Sequence, residues 1–388
     1  MAPAQVLLAV ASGLGLYTYL GYPAILSVLS LLCRRRSAGD PQTAWPRISI
    51  VLPVYNEAGV IAGTLERILG LDYPADLRQV LVVSDASTDG TDEIVAGFAD
   101  RGVELLRVPR RQGKTAAENA ARRCLTGEII INTDASVRID RAAVKHLVAA
   151  FRDPSVGVAS ARDVSVTNLE QQNTGEQAYV GYEMWIRAVE TAVYGIVGAS
   201  GCLYAIRADL HMGRVPEDLS RDFAAALTAR EHGRRAVSVP AALCFVPRGA
   251  SLRQEYRRKV RTITRGLATL AHKRALLNPL RYGVFAWMLF SHKVCRWLVP
   301  AAGLLLLAAL LALAVHSWWA LALLAALGAL GALAAIAWMR PDGEPMPRLL
   351  ALPAYVAAGN VAVLHAWLRL LAGRPVPVWE PTRRGAAS

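Results

Sequence analysis

Hydrophobic and polar positions divide the chain into three kinds of stretch. Val6 to Leu32 is an almost uncharged apolar run of span length, containing Pro23 and followed by Arg34-Arg35-Arg36. A cleaved signal peptide would carry its positive charge ahead of a shorter apolar core, so this run predicts a membrane helix. The three arginines put the next domain in the cytoplasm. Ser37 to Pro46 reads as a polar linker. From Arg47 the period changes, and short β-rich runs alternate with helical patterns. Ile48 to Glu57 is strand-like up to Pro53, and Ile61, Leu65 and Ile68 carry helical spacing. Gln79 to Thr91 repeats the scheme, with a buried strand, an acidic and hydroxyl cluster, and a helix from about Asp92. Val103 to Val108, Thr115 to Cys124 and Glu128 to Ile131 continue it as strand, helix and strand. Further on, Asp140 to Phe151, Tyr179 to Tyr194 and Phe223 to Glu231 read as helices, and Gly157 to Arg162 as a strand. This alternation predicts an α/β domain with a mostly parallel, Rossmann-like sheet and helices on both faces. In such sheets ligands collect at the carboxyl ends of the strands, where three polar clusters fall.

From Ser251 the pattern changes again. Leu252, Tyr256, Val260, Ile263, Leu267 and Leu270 form one apolar stripe of a helix whose other face carries Arg253, Arg257, Arg258, Lys259, Arg261 and Arg265. Two readings stand: a helix lying on an anionic membrane surface, or a core-packed helix with a solvated basic face. Phe285 to Trp297, with Trp287, His292, Lys293, Arg296 and Trp297, suits the headgroup region. Leu298 to Val315 and Trp318 to Trp338 are long enough to span as a tight hairpin, and Arg340 to Arg348 is a polar loop. Leu349 to Leu371 is a weaker span, interrupted by Pro353, Asn360, His365 and Arg369. If all four segments cross, Arg374, Arg383 and Arg384 oppose the positive-inside rule; either the last segment stops short or the rule is weak here.

Composition narrows the partners. The 388 residues are 54% hydrophobic with a net charge of +13, a mean hydropathy of +0.31 and a pI near 9.9. The basic residues lie beside the membrane segments rather than among aromatics on a soluble face, which points to anionic lipid and away from nucleic acid. Cys33, Cys124, Cys202, Cys244 and Cys295 are scattered singly, so neither a zinc site nor a disulfide framework is indicated, and a reducing compartment fits. A dinucleotide fingerprint is missing. Gly113-Lys114-Thr115 looks like the end of a P-loop, but Val108 stands where that motif needs glycine.

The candidate chemistry centres on Gly127 to Ser136. An apolar strand through Ile129, Ile130 and Ile131 ends in Asn132-Thr133-Asp134-Ala135-Ser136, which sets a carboxylate where the strand meets solvent. Asp134 there suits a hard divalent cation gripping a diphosphate, or else a turn or helix cap. Lys114 is a point charge for a phosphate or one more lysine in the basic run from Arg110. Gly198 to Arg207, small residues before a β-like run, would let a bulky ligand approach the backbone, or is an ordinary glycine-rich turn.

Taken in order, Pro53 to Glu57 (PVYNE), Ser84 to Thr91 (SDASTDGT), Gly113-Lys114, Thr133 to Ser136 (TDAS), Gly201 to Arg207 (GCLYAIR) and Ser220 to Asp222 (SRD) resemble the membrane-integrated bacterial branch of the family 2 glycosyltransferases, of GT-A fold. The resemblance covers most of the chain. It implies that Pro53, Tyr55 and Glu57 line a nucleotide pocket, that Asp85 bonds the base or ribose, and that Lys114 meets the diphosphate. It implies Mg²⁺ or Mn²⁺ on Asp134, with Ser136 where many relatives carry a second acid. Asp222 would be the general base, and Gly201, Cys202 and Tyr204 would lie near the acceptor. Processive synthases carry Gln-x-x-Arg-Trp on an interfacial helix; here Arg258 to Thr262 stands in that place, Arg261 keeps the arginine for the diphosphate, and the Gln and Trp are missing.

The resemblance therefore implies inverting sugar transfer from a nucleotide-sugar to a lipid-linked or polysaccharide acceptor in exopolysaccharide or cell-envelope assembly. The protein would be multi-pass in the bacterial inner membrane, in contact with membrane lipids and polysaccharide-assembly partners. A processive synthase and a non-catalytic nucleotide-binding membrane protein are the alternatives; the second would have lost Asp85, Asp134 and Asp222, which are all present. The expected division is a span at 1–36, a GT-A domain at 47–250, interfacial helices at 251–297, and spans with a tail at 298–388.

Overall fold

The computed structural model describes residues 3–33, 44–166, 174–247, 251–341 and 346–373. The expectations placed on Arg34 to Arg36, on most of the polar linker, and on Arg374, Arg383 and Arg384 lie outside the described residues. The chain opens with helices α1 (Pro3–Leu16) and α2 (Tyr22–Leu32), joined by a π-helical turn at Tyr17–Gly21. Next come β1 (Ile48–Val54), α3 (Ala58–Leu69), β2 (Arg78–Ser84), α4 (Thr91–Ala96), β3 (Val103–Arg107), α5 (Lys114–Ala121) and β4 (Ile129–Thr133). The second half of the domain comprises β5 (Arg138–Ile139), α6 (Ala143–Ala149), β6 (Val156–Val166), α7 (Thr174–Val193), β7 (Leu203–Arg207), α8 (Ala208–His211), α9 (Arg221–Glu231) and β8 (Arg235–Pro247). Helices complete the chain: α10 (Leu252–His272), α11 (Pro279–Tyr282), α12 (Val284–Leu289), α13 (Arg296–Ala314), α14 (Trp318–Met339) and α15 (Arg348–Leu371).

The eight strands form one sheet in the order β3-β2-β1-β4-β7-β6-β8-β5. The first four are parallel, as the alternation predicts. β7 runs antiparallel to both β4 and β6, and β5 antiparallel to β8, so the sheet is mixed rather than mostly parallel. The alternating pattern cannot reveal this, because the long helix α7 and a loop separate β6 from β7, which inserts between β4 and β6 in the middle of the sheet. The reversal matters for the site. Thr133 pairs with Leu203, so the start of β7 meets the end of β4.

Both faces of the sheet are covered, and β1 is buried at every position. Ile48, Ile50 and Leu52 pack with Ile61, Leu65 and Leu147 on one face, while Val51, Leu81, Val83 and Ile130 pack with α5 and α9 on the other. Each such side chain contributes about 1.5–3 kcal/mol, which makes the strand ends a rigid edge. A third core joins domain to membrane helices through Tyr22, Ile186, Phe223, Leu227, Leu270, Phe285 and Met288.

Four helical stretches are long and apolar enough to cross a membrane: Pro3–Leu32, Val284–Ala314, Trp318–Met339 and Leu349–Leu371. Their outer faces expose Leu31, Leu304, Leu311, Leu321, Leu352 and Leu368, as lipid contact requires. Two expectations change here. The second span begins at Val284 rather than Leu298, so Phe285 to Trp297 belongs to it. His292, Lys293 and Arg296 do not reach toward headgroups; they turn onto acids of α7. His292 Nδ1 lies 2.5 Å from Glu190 Oε1, Arg296 donates to Glu183 Oε2 at 2.7 Å, and Tyr22 Oη donates to Glu190 Oε1 at 2.6 Å. Charges inside apolar surroundings need such partners. Helix α10 packs chiefly along α15 and partly on α9, with Lys259 over the Tyr355 ring of α15, while Arg253 and Arg257 remain exposed.

Candidate active site

The parallel strands β1, β2 and β4 end along one edge, and the residues just past them build the site. Two chain turns there are knitted together: Asn56 N–H donates to Ser87 Oγ at 3.1 Å, Glu57 N–H to Thr91 Oγ1 at 2.9 Å, and Thr88 N–H to Asn56 Oδ1 at 2.8 Å. Asn56 holds φ 52° and Ala86 φ 59° to make these turns, conformations costly for residues with a side chain and kept where surroundings enforce them. Pro53 is buried within β1 opposite Val83. Tyr55, at the rim, carries the Arg111 guanidinium 3.9 Å above its ring. Glu57 is half-buried ahead of α3.

Asp85 anchors a neighbouring loop. It is 1% exposed, and its two oxygens accept N–H bonds from Gln112 at 2.9 Å and Gly113 at 2.7 Å. These bonds fix the loop after β3. Gly113, at φ 93°, then turns the chain into α5 with Lys114 as its first residue. A side chain at Gly113 would be strained in that conformation.

Lys114 Nζ donates to Asp134 Oδ1 at 2.5 Å and to the Gly201 carbonyl at 3.2 Å. Burial works against the ammonium, but Asp134 and then Glu118 outweigh it, so the Lys114 pKa is raised and the side chain stays charged. Thr133 Oγ1 donates to Cys202 O at 3.0 Å, tying the end of β4 to the segment before β7. Gly201 lies against Asp222: a Cβ there would stand 2.8 Å from Asp222 Oδ2. Asp222 sits in the first turn of α9, and Ser220 Oγ donates to its Oδ1. Lys114, Asp134, Gly201 and Asp222 thus converge. Ser136 is half-buried two residues beyond Asp134. Tyr204 points behind the site: it is 1% exposed and its hydroxyl has no hydrogen-bond partner among the described residues. Burial, and then Glu118, push that phenol well above its ordinary pKa.

Sequence reasoning missed three residues. Arg265, counted with the basic face of α10, enters the domain and donates to Thr115 Oγ1 at 2.7 Å, to Glu217 O at 2.9 Å and to Leu219 O. Arg261 lies one turn earlier on α10, half-buried. Glu118, one turn after Lys114, is fully buried and pairs with Arg221 Nε at 3.6 Å. Burial pushes its carboxyl up, opposed by Lys114 and Arg221. Arg221, next to Asp222, is buried and donates to Asn119 Oδ1 at 2.7 Å and His211 O at 3.1 Å.

Among the described residues no group of three or more His, Cys, Asp or Glu could hold a metal ion. Asp134 offers one carboxylate and Ser136 one hydroxyl. Such a set does not make an all-protein cage, and it fits an ion completed by substrate phosphates and water, as Mg²⁺ and Mn²⁺ sites commonly are.

Residues 49–209 match the family model described as glycosyl transferase family 2. The chain carries a family 2 glycosyltransferase domain of GT-A fold. It is 30% identical over 190 residues to a beta-monoglucosyldiacylglycerol synthase of Nostoc sp., covering 47% of this chain and 40% of that protein. Over 163 residues it is 27% identical to an N-acetylglucosaminyltransferase of Rhizobium sp., covering 41% of this chain and 35% of the other. The chain thus spans less than half the length of these curated relatives. The mannosyltransferase PcManGT from Pyrobaculum calidifontis, solved with GDP-Man and Mn²⁺, superposes with a TM-score of 0.71 at 27% identity, over 94% of this chain and 99% of that one. With four helical stretches long and apolar enough to cross a membrane and bacterial relatives, the chain is a multi-pass membrane protein, consistent with the bacterial inner membrane and a cytoplasmic glycosyltransferase domain.

Proposed function

We propose that the chain transfers a sugar, with inversion at the anomeric carbon, from a nucleotide-sugar to a lipid or polysaccharide acceptor at the membrane, and that the acceptor is lipid-linked. The observation that carries this reading is the convergence of Lys114, Asp134, Gly201 and Asp222 at the carboxyl edge, with Arg265 of α10 reaching the same edge from a helix packed on a membrane span. Asp222 takes the proton of the acceptor hydroxyl as its oxygen bonds to the anomeric carbon, and the bond from that carbon to the diphosphate oxygen breaks. The leaving diphosphate carries off the electron pair, and Lys114 meets its charge in a site where water is sparse. A divalent ion on Asp134, with Ser136 beside it, would supply further neutralisation of that leaving group. Tyr55 and Glu57 border the nucleotide, Pro53 supports them from within β1, and Asp85 serves the nucleotide by fixing the Gln112–Gly113 loop. The bare Gly201 and Cys202 backbone leaves room for the acceptor beside Asp222. PcManGT, whose structure holds GDP-Man and Mn²⁺, supports a nucleotide-sugar and a divalent ion here; the diacylglycerol named for the Nostoc relative supports a lipid acceptor.

The test is release of nucleoside diphosphate from a panel of nucleotide-sugars by the protein in lipid nanodiscs, with Mn²⁺, Mg²⁺ or chelator and with membrane lipid extract as acceptor. Ion-dependent release from one donor is expected. Binding of a nucleotide without release under every condition would transfer the assignment to a non-catalytic binding protein.

A further inference from the structure

Lys114 and Glu118 stand four residues apart on α5, so they leave the same face with about 5–6 Å between their Cβ atoms. The closest contact of the ammonium is Asp134 Oδ1 at 2.5 Å, on the one carboxylate that a divalent ion would need. Glu118 is fully buried, and neither of its carboxylate oxygens has a hydrogen-bond partner among the described residues. Arg221 Nε is 3.6 Å from Oε2, and its guanidinium gives its hydrogen bonds to Asn119 and His211 instead. A buried carboxylate without hydrogen bonds is costly and calls for an explanation. An ammonium and a divalent cation on one carboxylate repel each other, and low dielectric sharpens the repulsion. The fold therefore holds a lysine whose grip on Asp134 opposes an arriving ion, and a buried carboxyl without hydrogen bonds one helical turn away.

We propose that Lys114 has two positions, on Asp134 without a divalent ion and turned toward Glu118 when Asp134 takes the ion with the donor, so that Glu118 is a positioning residue for donor loading. This rests on the reading of Asp134 as the metal ligand. Lys114 is then a tethered competitor for the ion, and Glu118 relieves the competition.

The test is a titration of Mn²⁺ at a fixed excess of nucleoside diphosphate (GDP or UDP), read by the electron paramagnetic resonance of free Mn²⁺ against a protein-free nucleotide blank, on the full chain in nanodiscs. Lys114→Met, at a partly exposed side chain, is expected to tighten Mn²⁺ binding about tenfold, as removal of one like charge at contact range does. Glu118→Gln is expected to weaken it about threefold or more, and to have no effect once Lys114 is Met, a coupling of the size seen between contacting residues. A weakening that is equal in both backgrounds would show a plain field or folding effect and overturn the two-position account, as would no weakening at all. Mn²⁺ binding that Asp134→Asn leaves unchanged would instead remove the metal reading, and this proposal with it.

Discussion

Replacing Gly201 by alanine tests the geometry of the site with a single methyl group. The added carbon would lie 2.8 Å from Asp222 Oδ2 and 3.4 Å from its Cγ. Ordinary contact begins at about 3.4 Å, so the carboxylate oxygen must retreat by about 0.6 Å. The retreat has a direction: Oδ1 is held by Ser220 Oγ, and rotation away from position 201 breaks that bond. Overpacking of this kind costs about 1–3 kcal/mol of stability. A reacting group displaced by about 1 Å loses on the order of a hundredfold in rate, so the Gly201→Ala variant should turn over about ten- to a hundredfold more slowly. KM for the donor should change little, since Lys114 and Asp134 keep their contact. The control is Gly213→Ala, where the nearest atom to an added carbon is 3.9 Å away; it should match the wild type. Initial rates of nucleoside diphosphate release, measured over donor and acceptor concentrations, give both constants. A Gly201→Ala enzyme within twofold of wild-type turnover would mean that Asp222 does not act from this position.

Two further expectations concern the junction behind the site. Arg265→Ala removes a guanidinium whose Nη2 joins α10 to Thr115, Glu217 and Leu219; hydrogen exchange over 215–220 should rise, and turnover should fall about tenfold if these charged contacts contribute a net 1.5–3 kcal/mol to ordering the segment before Asp222. His211 is buried between helices, and burial, then Arg221 and Arg122, hold its pKa well below 6.5. The folded protein thus favours the neutral ring: its contribution is intact above about pH 6.5 and is lost as pH falls below that value, by up to about 1.4 kcal/mol per pH unit. His211→Gln should flatten the fall in thermal stability between about pH 6.5 and 5, and an unchanged slope would assign the acid sensitivity to another group.

Much of this was legible in the chain. Asp134 could be found because an apolar strand ending in an acid has few places to put that acid except the sheet edge. The four span-length stretches follow from apolar length alone, although the second starts at Val284 because Trp287 and Phe285 face protein rather than headgroups. The three basic residues His292, Lys293 and Arg296 are misread from sequence since their partners, Glu183 and Glu190, lie about a hundred residues earlier, and charge pairing across that distance leaves no local pattern. Arg265 shows the same limit on one helix: periodicity separates the faces of α10 but does not say whether the polar face meets water or protein. Glu118 gives no signal, because a helix position four after a lysine reads as a surface ion pair. The reversal of β7, which brings Gly201 to Asp134 and Asp222, is a matter of topology that strand spacing does not encode.

The central claim is that Asp222 removes the acceptor proton in a nucleotide-sugar-dependent transfer. Its most direct test is acceptor-dependent turnover by Asp222→Asn in nanodiscs, with the donor found by the panel and binding of that donor measured on the same preparation. The account predicts donor binding close to wild type and transfer reduced by about two to four orders of magnitude, the usual worth of a general base. Transfer at the wild-type rate with donor binding intact would contradict it.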